Sequence, residues 1–226
     1  IAAVGRIARE SGIPRLVDAA QTAGMEDIDM ERDFIDALAF TGHKALGGPQ
    51  GTGGLALRPG FDFPPLLYGG TGSLSESENQ PDFFPDKLES GTLNAIGIAG
   101  LGAAVNRLLS DGLPSIRAHK KKLVRQFIQG ASDIHGAILY GPSDPNDNSG
   151  VISLNLHGVV CSEAGLVLDR AYGILTRTGL HCAPAAHKTI GSFPQGTIRF
   201  SLGSYNSEED IAVTIDALRT IMAANG

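Results

Sequence analysis

The sequence predicts an α/β domain with a mostly parallel or mixed sheet, followed by a small α+β domain. Three features carry that expectation: short apolar runs ending in polar residues through the first half, a pair of helical stretches at the middle, and alternating strand and helix patterns from there to the end. The division falls near residue 110, giving expected domains over 1–110 and 111–226.

Residues 1–11 carry the helical stripe Ile1, Val4, Ile7 and Ala8, closed by Gly12, and Pro14 then opens a short apolar run that ends in Asp18. Residues 37–40 read as a second buried strand running into Thr41-Gly42-His43-Lys44. A third follows at 54–57, after the glycine-rich stretch 47–53. From Phe61 to Thr92 the composition is rich in Gly, Pro, Ser and Phe with little periodicity, and a loop this long inside a domain is usually functional or an interface. Helical patterns cover 94–109 and 114–134, a pair placed to bridge two domains. Beyond them the sequence predicts strands at 137–140 and 151–156 flanking a turn-rich stretch, a helix at 162–171, and a strand near 174–176. A loop to Gly196, a strand at 197–202, and a final helix capped by Ser207 complete the chain. Glu208, Glu209 and Asp210 fall in that helix's first turn, where the dipole favours acids.

Composition narrows the function classes. The 226 residues are 42% hydrophobic, ordinary for a globular protein able to bury a core. The net charge of -6 disfavours nucleic acid as a partner, and the one dense basic run, Lys120 to Lys122, reads as a solvated helix face. No apolar run approaches the roughly 20 residues that cross a bilayer, and no secretory pattern opens the sequence, so no membrane partner and a cytoplasmic location are expected. Two cysteines, Cys161 and Cys182, are too few for a disulfide scaffold and are expected to be free thiols.

Three clusters carry chemistry. Asp18-Ala19-Ala20-Gln21 puts an acid at the carboxyl end of a strand, where open α/β sheets bind ligands, although an Asx turn explains Asp18 equally well. Thr41-Gly42-His43-Lys44 delivers a hydroxyl, an imidazole and an amine at another strand end; taken alone, Lys44 there reads as a surface charge. The third cluster is Arg177-Thr178-Gly179-Leu180-His181-Cys182-Ala183-Pro184, followed by His187 and Arg199. A thiol in a loop near arginines is the setting that favours a reactive thiolate. Zinc held by His181, Cys182 and His187 is the weaker alternative, because a closed site usually needs four ligands; no metal is expected. Cys161 precedes an amphipathic helix in apolar surroundings and reads as structural.

In order along the chain stand Asp-x-x-Gln at Asp18, Gly-His-Lys at Lys44, Glu-Ser-Gly-Thr-Leu-Asn from Glu89, Arg-Thr-Gly-Leu-His-Cys from Arg177, Arg199, and Ser-Tyr-Asn-Ser-Glu-Glu from Ser204. This series resembles the class V aminotransferase family, and within it the Suf-type cysteine desulfurases and selenocysteine lyase relatives. The resemblance implies an aspartate aminotransferase-like, fold type I enzyme that uses pyridoxal 5'-phosphate (PLP). It implies Lys44 as the Schiff-base lysine, Asp18 at the pyridine nitrogen, Gln21 at the phenolic oxygen, and Thr41 and His43 at the phosphate. Thr92 resembles the threonine that reaches the phosphate of a neighbouring subunit, which implies a homodimer. Cys182 resembles the nucleophile that takes sulfur from L-cysteine as a persulfide for a sulfur-acceptor protein. Arg199, assisted by Arg177, resembles the clamp on the substrate carboxylate.

The sequence departs from the best-known Suf-type loop at Leu180 and in the continuation from Ala183 to His187, which leaves the substrate open between cysteine, selenocysteine and another amino acid. Family members also carry an N-terminal portion with a phosphate-binding helix terminus and a side chain that stacks on the cofactor ring. That portion has no counterpart before Ile1, so the chain is expected to be a fragment that holds PLP weakly. The competing readings are a class V aminotransferase, a selenocysteine or cysteine lyase, and a cofactor-free fragment acting as an interaction module.

Overall fold

The computed structural model describes residues 1–142 and 144–225. Two compact units follow one another along the chain, Ile1–Leu113 and the residues from Pro114 onward.

The first unit opens with α1 (Ala2–Glu10), followed by strands β1 (Leu16–Asp18), β2 (Ala37–Thr41) and β3 (Gly53–Leu57). β1 runs parallel to β2 with Asp18 beside Ala39, and β3 returns antiparallel with Gly53 beside Thr41. This mixed sheet is the expected one, but its strands are not buried as the apolar runs predict. Leu16 is 63% exposed and Leu55 41% exposed, because the described residues place no layer over them. Burial concentrates instead where β2 begins, at Ile35, Asp36 and Ala37. The Asp36 carboxylate accepts the Arg15 N–H at 2.8 Å and Arg58 Nε–H at 2.6 Å, tying the entry to β1 to the exit of β3.

After β3 the chain makes the long irregular excursion expected from its composition. Its anchor is Lys87, whose buried ammonium donates to Asp62 at 2.8 Å and pairs with Asp82 at 3.0 Å. The Asn94 side chain then accepts the Gly97 N–H at 3.0 Å and starts α2 (Ala95–Asp111), satisfying one of the donors a helix start leaves open.

The second unit contains most of α3 (Leu113–Ser132), then β4 (Ala137–Tyr140), β5 (Val151–Leu156), α4 (Cys161–Tyr172), β6 (Arg177–Gly179), α5 (Pro184–Thr189), β7 (Thr197–Ser201) and α6 (Glu208–Asn225). The strands form an antiparallel sheet in the order β4-β5-β7-β6. Strand alternation decides its two faces. Ile152, Leu154 and Leu156 of β5 and Ile198 and Phe200 of β7 join Leu123, Phe127, Leu168, Ile211 and Leu218 of the helices in one core. Ser153, Asn155, Thr197 and Arg199 point the other way and leave a polar face.

Ser207 starts α6 with a reciprocal cap, its hydroxyl accepting the Asp210 N–H at 3.1 Å while Asp210 accepts the Ser207 N–H at 2.9 Å. Two local expectations fail. The strand expected near 174–176 is instead Arg177–Gly179, because Ile174 closes α4 by donating its N–H to the Leu168 carbonyl at 2.9 Å and packs on the core. The expected loop also contains α5, a helix too short for a periodic apolar stripe.

Candidate functional site

The candidate residues form two sets, one in each unit. In the first, the parallel pairing of β1 and β2 sends both chains out of the sheet at the same edge. Asp18 stands at that edge, with Oδ1 accepting the Ala20 N–H at 2.9 Å, so the Asx turn anticipated as an alternative is present. The turn fixes one carboxylate oxygen and leaves Oδ2 to solvent, so it is compatible with a ligand role. Gln21 lies exposed three residues on.

At the end of β2, the Thr41 hydroxyl and His43 Nδ1 share a hydrogen bond of 2.8 Å. The turn that carries Lys44 is held by backbone bonds from Gly48 N–H to the Gly42 carbonyl at 2.8 Å and from Gly47 N–H to the Lys44 carbonyl at 2.9 Å. A side chain at Gly42 would run into the Thr52 hydroxyl, so the tight approach needs glycine. Lys44 itself is exposed, and its amine has no side-chain partner among the described residues. Thr92 lies two residues before the Asn94 cap, also exposed. A carboxylate, a hydroxyl with an imidazole, and an uncommitted amine suit a ligand carrying a ring nitrogen, an anionic group and an aldehyde.

The second set is built on β6, β7 and the segment between them. Arg177 and Arg199 are directly opposite across the antiparallel pair. Like charges in that position repel, and a bound anion would offset the repulsion. Arg199 Nε is buried without a hydrogen-bond partner among the described residues, an omission that costs about 1–3 kcal/mol in a group of this kind. Both observations fit an anion such as a carboxylate at this face.

The segment leaving β6 turns sharply. His181 and Cys182 both have left-handed backbones, with φ of 52° and 61°. Each such residue costs about 1–2 kcal/mol when it is not glycine, so the surroundings must hold the turn. The Cys182 thiol is exposed, and Arg177 Nη2 donates to Sγ at 3.9 Å. An exposed thiol is open to reaction partners, and the guanidinium places a positive charge beside its sulfur.

His181 Nε2 lies 3.0 Å from the Arg177 carbonyl. Partial burial holds its pKa below the ordinary histidine value, against the raising effect of that carbonyl and with the Arg199 charge adding to the depression. The ring is therefore neutral near pH 7. Because a carbonyl only accepts, the proton sits on Nε2. Cys161, by contrast, is buried at the start of α4 and donates its S–H to the Gln195 carbonyl at 3.2 Å, which is a packing role.

Two features escaped the sequence reading. One is the buried pair His187 and Ser192, joined at 2.7 Å, with the His187 ring 5.5 Å from that of His181. The other is the closure of the loop base, where a Cβ on Gly196 would overlap the Gly179 backbone. The Gly-rich flanks hinted at the second, and nothing periodic marked the first.

The model of the family described as aminotransferase class V matches residues 1–213. A probable cysteine desulfurase of Methanothermobacter thermautotrophicus is 36% identical over 223 residues, covering 96% of this chain and 55% of that protein. The apo structure of a cysteine desulfurase from Thermococcus onnurineus NA1 superposes with a TM-score of 0.89 at 32% identity, covering 98% of this chain and 55% of that one. The structure of the cysteine desulfurase CsdA (S-sulfonic acid) from Escherichia coli gives 0.83 at 27% identity, covering 98% of this chain and 54% of that one. The chain thus spans about half the length of the relatives it matches.

Proposed function

The chain belongs to the aminotransferase class V family, and from that premise we propose that it serves a PLP-dependent cysteine desulfurase, which converts L-cysteine to L-alanine and leaves the sulfur as a persulfide on Cys182. The observation that carries this reading is the exposed Cys182 thiol facing Arg177 at 3.9 Å, since transamination has no use for a thiol there. The relatives named as cysteine desulfurases support it.

When bound, PLP supplies a carbonyl that condenses with amines and a protonated ring that draws electrons from a substrate's α-carbon. In this reading the Lys44 amine holds the cofactor's aldehyde and then moves a proton at the substrate's α-carbon. The Asp18 carboxylate keeps the ring nitrogen protonated, Gln21 donates to the phenolic oxygen, and Thr41 and His43 contact the phosphate. Thr92 reaches the phosphate of a neighbouring subunit, which makes the working form a homodimer.

Arg199 takes the substrate carboxylate, an acceptor that its orphaned Nε needs, and Arg177 assists. Cys182 Sγ, as the thiolate, attacks the substrate sulfur. A sulfur–sulfur bond forms as the carbon–sulfur bond breaks, the electron pair of the broken bond goes to the β-carbon, and protonation there gives alanine. The terminal persulfide sulfur then passes to an acceptor protein or thiol.

The test supplies PLP and L-cysteine to the protein and measures alanine and sulfide. Cys182→Ala is expected to lose alanine formation while borohydride still fixes the pyridoxyl label on Lys44. Lys44→Ala is expected to lose the label, and Cys161→Ala to change neither. Full alanine production by Cys182→Ala would transfer the reading to a lyase or aminotransferase of the same fold.

A further inference from the structure

His187 and Ser192 have no part in the proposed reaction, although they form a buried polar pair in the segment that carries the proposed nucleophile. His187 is 4% exposed and Ser192 6% exposed, and His187 Nδ1 meets the Ser192 hydroxyl at 2.7 Å. Their backbones are joined as well, with the Ser192 N–H donating to the His187 carbonyl at 2.9 Å. A buried imidazole in so short a helix needs a partner, and Ser192 supplies one that also fixes the plane of the ring.

The ring reaches the Cys182 turn through His181. Side chains of a helix lean toward its N-terminus, and α5 begins just after Cys182, so His187 in its last turn reaches back over the turn. Its ring lies 5.5 Å from the His181 ring, the two planes tilted by 54°. His181 is in turn tied to the Arg177 carbonyl at 3.0 Å, while the Arg177 guanidinium holds Cys182 Sγ. One backbone bond spans the left-handed pair, from Ala183 N–H to the Leu180 carbonyl at 2.8 Å. Two consecutive non-glycine residues in the left-handed region persist only when their neighbours over-determine them.

We propose that His187, oriented by Ser192, is a positioning residue for Cys182: it braces His181 and so keeps the thiol against the Arg177 guanidinium. The inference rests on the reading of Cys182 as the nucleophile, but its test needs neither cofactor nor turnover.

The two cysteines make the measurement internal to the molecule. Exposed Cys182 reports the loop, and buried Cys161 reports the fold. Alkylation is followed at each site by mass spectrometry, with anionic iodoacetate and neutral iodoacetamide run in parallel. A guanidinium beside Sγ favours the anionic reagent, and for an exposed site the advantage is on the order of fivefold. Arg177→Ala is expected to abolish that preference.

His187→Ala is expected to abolish it too, although Arg177 is still present, with Cys161 remaining protected. Ser192→Ala is expected to reduce it, and Ser192→Thr, which keeps the hydroxyl, to restore it. If His187→Ala and Ser192→Ala both keep the parental preference while Arg177→Ala loses it, the proposal is overturned and the pairing of arginine with thiol stands. If Arg177→Ala itself keeps the preference, the pairing that His187 is said to maintain does not exist. Should Cys161 become reactive in His187→Ala, Ser192→Ala decides; exposure of Cys161 in both variants would assign the pair to the fold and overturn a role confined to the loop. Each of these results is independent of whether the holoenzyme desulfurates cysteine.

Discussion

Replacing Arg199 by methionine separates the binding role proposed for it from any structural one, because the two predict opposite movements. Arg199 faces Arg177 across the strand pair, and its buried Nε has no hydrogen-bond partner among the described residues. Methionine keeps comparable length and removes both liabilities, so the ligand-free variant should be as stable as the parent or more so, by about 1 kcal/mol. For a chain of this size that corresponds to a rise of about 2–4 °C in Tm. Substrate binding should move the other way. One charge-assisted hydrogen bond is worth about 1.5–3 kcal/mol, so KM for L-cysteine should rise about 10- to 150-fold. Because the carboxylate contact is the same in ground and transition states, kcat should change little. The assays are thermal unfolding without substrate and alanine formation against cysteine concentration. A fall in Tm with an unchanged KM would refute the reasoning and make Arg199 a structural residue.

The remaining predictions concern stability. The Asp36 carboxyl is held below the usual carboxylate range, first by the Arg15 N–H and then by the Arg58 guanidinium. A depressed folded-state pKa stabilises above the unfolded value of about 4, and that stability is lost as pH falls through the folded value. Asp36→Asn should therefore be less stable than the parent at neutral pH, with the two denaturation midpoints converging in acid; parallel curves at all pH values would show that the charge contributes nothing. Phe127→Ala removes a fully buried ring packed 4.9 Å from that of Phe200 and should cost about 3–5 kcal/mol in a urea titration. A loss under about 1 kcal/mol would mean that the core closes around the gap.

How much of this was readable beforehand varies with the physics behind each feature. The helices of 17 to 20 residues that became α2, α3 and α6 announced themselves through periodicity, and α6 also through Ser207 as its cap. β5 and β7 alternate clearly because one face is core. α5 did not show, since six residues rich in alanine give no stripe, and β6 was placed too early because Ile174 is apolar for the sake of α4. The family resemblance and the fold it implied hold. The motifs named residues, but not that Arg177 sits opposite Arg199 and reaches Cys182, which depends on strand register. The pairing of His187 with Ser192 stayed hidden because burial in an irregular segment follows the path of the chain and has no period in sequence.

The close approach of Gly179 and Gly196 has a consequence for how this part of the molecule tolerates change. With glycine required at Gly196 by the neighbouring backbone, the ends of the cysteine-bearing segment are clasped together at its base. The pairing of Gly179 with Thr197 at this root fixes the alignment of Arg177 to Arg199. Loop-closure entropy also grows slowly with length, about 0.6 kcal/mol per doubling. Between Leu180 and Gln195 the exposed residues can therefore change while the arginine pair at the root keeps its register, whereas His187, Ser192 and the Gln195 carbonyl that receives Cys161 are tied to their partners. Divergence between relatives in what they do with a bound amino acid has a place to accumulate here without cost to the sheet.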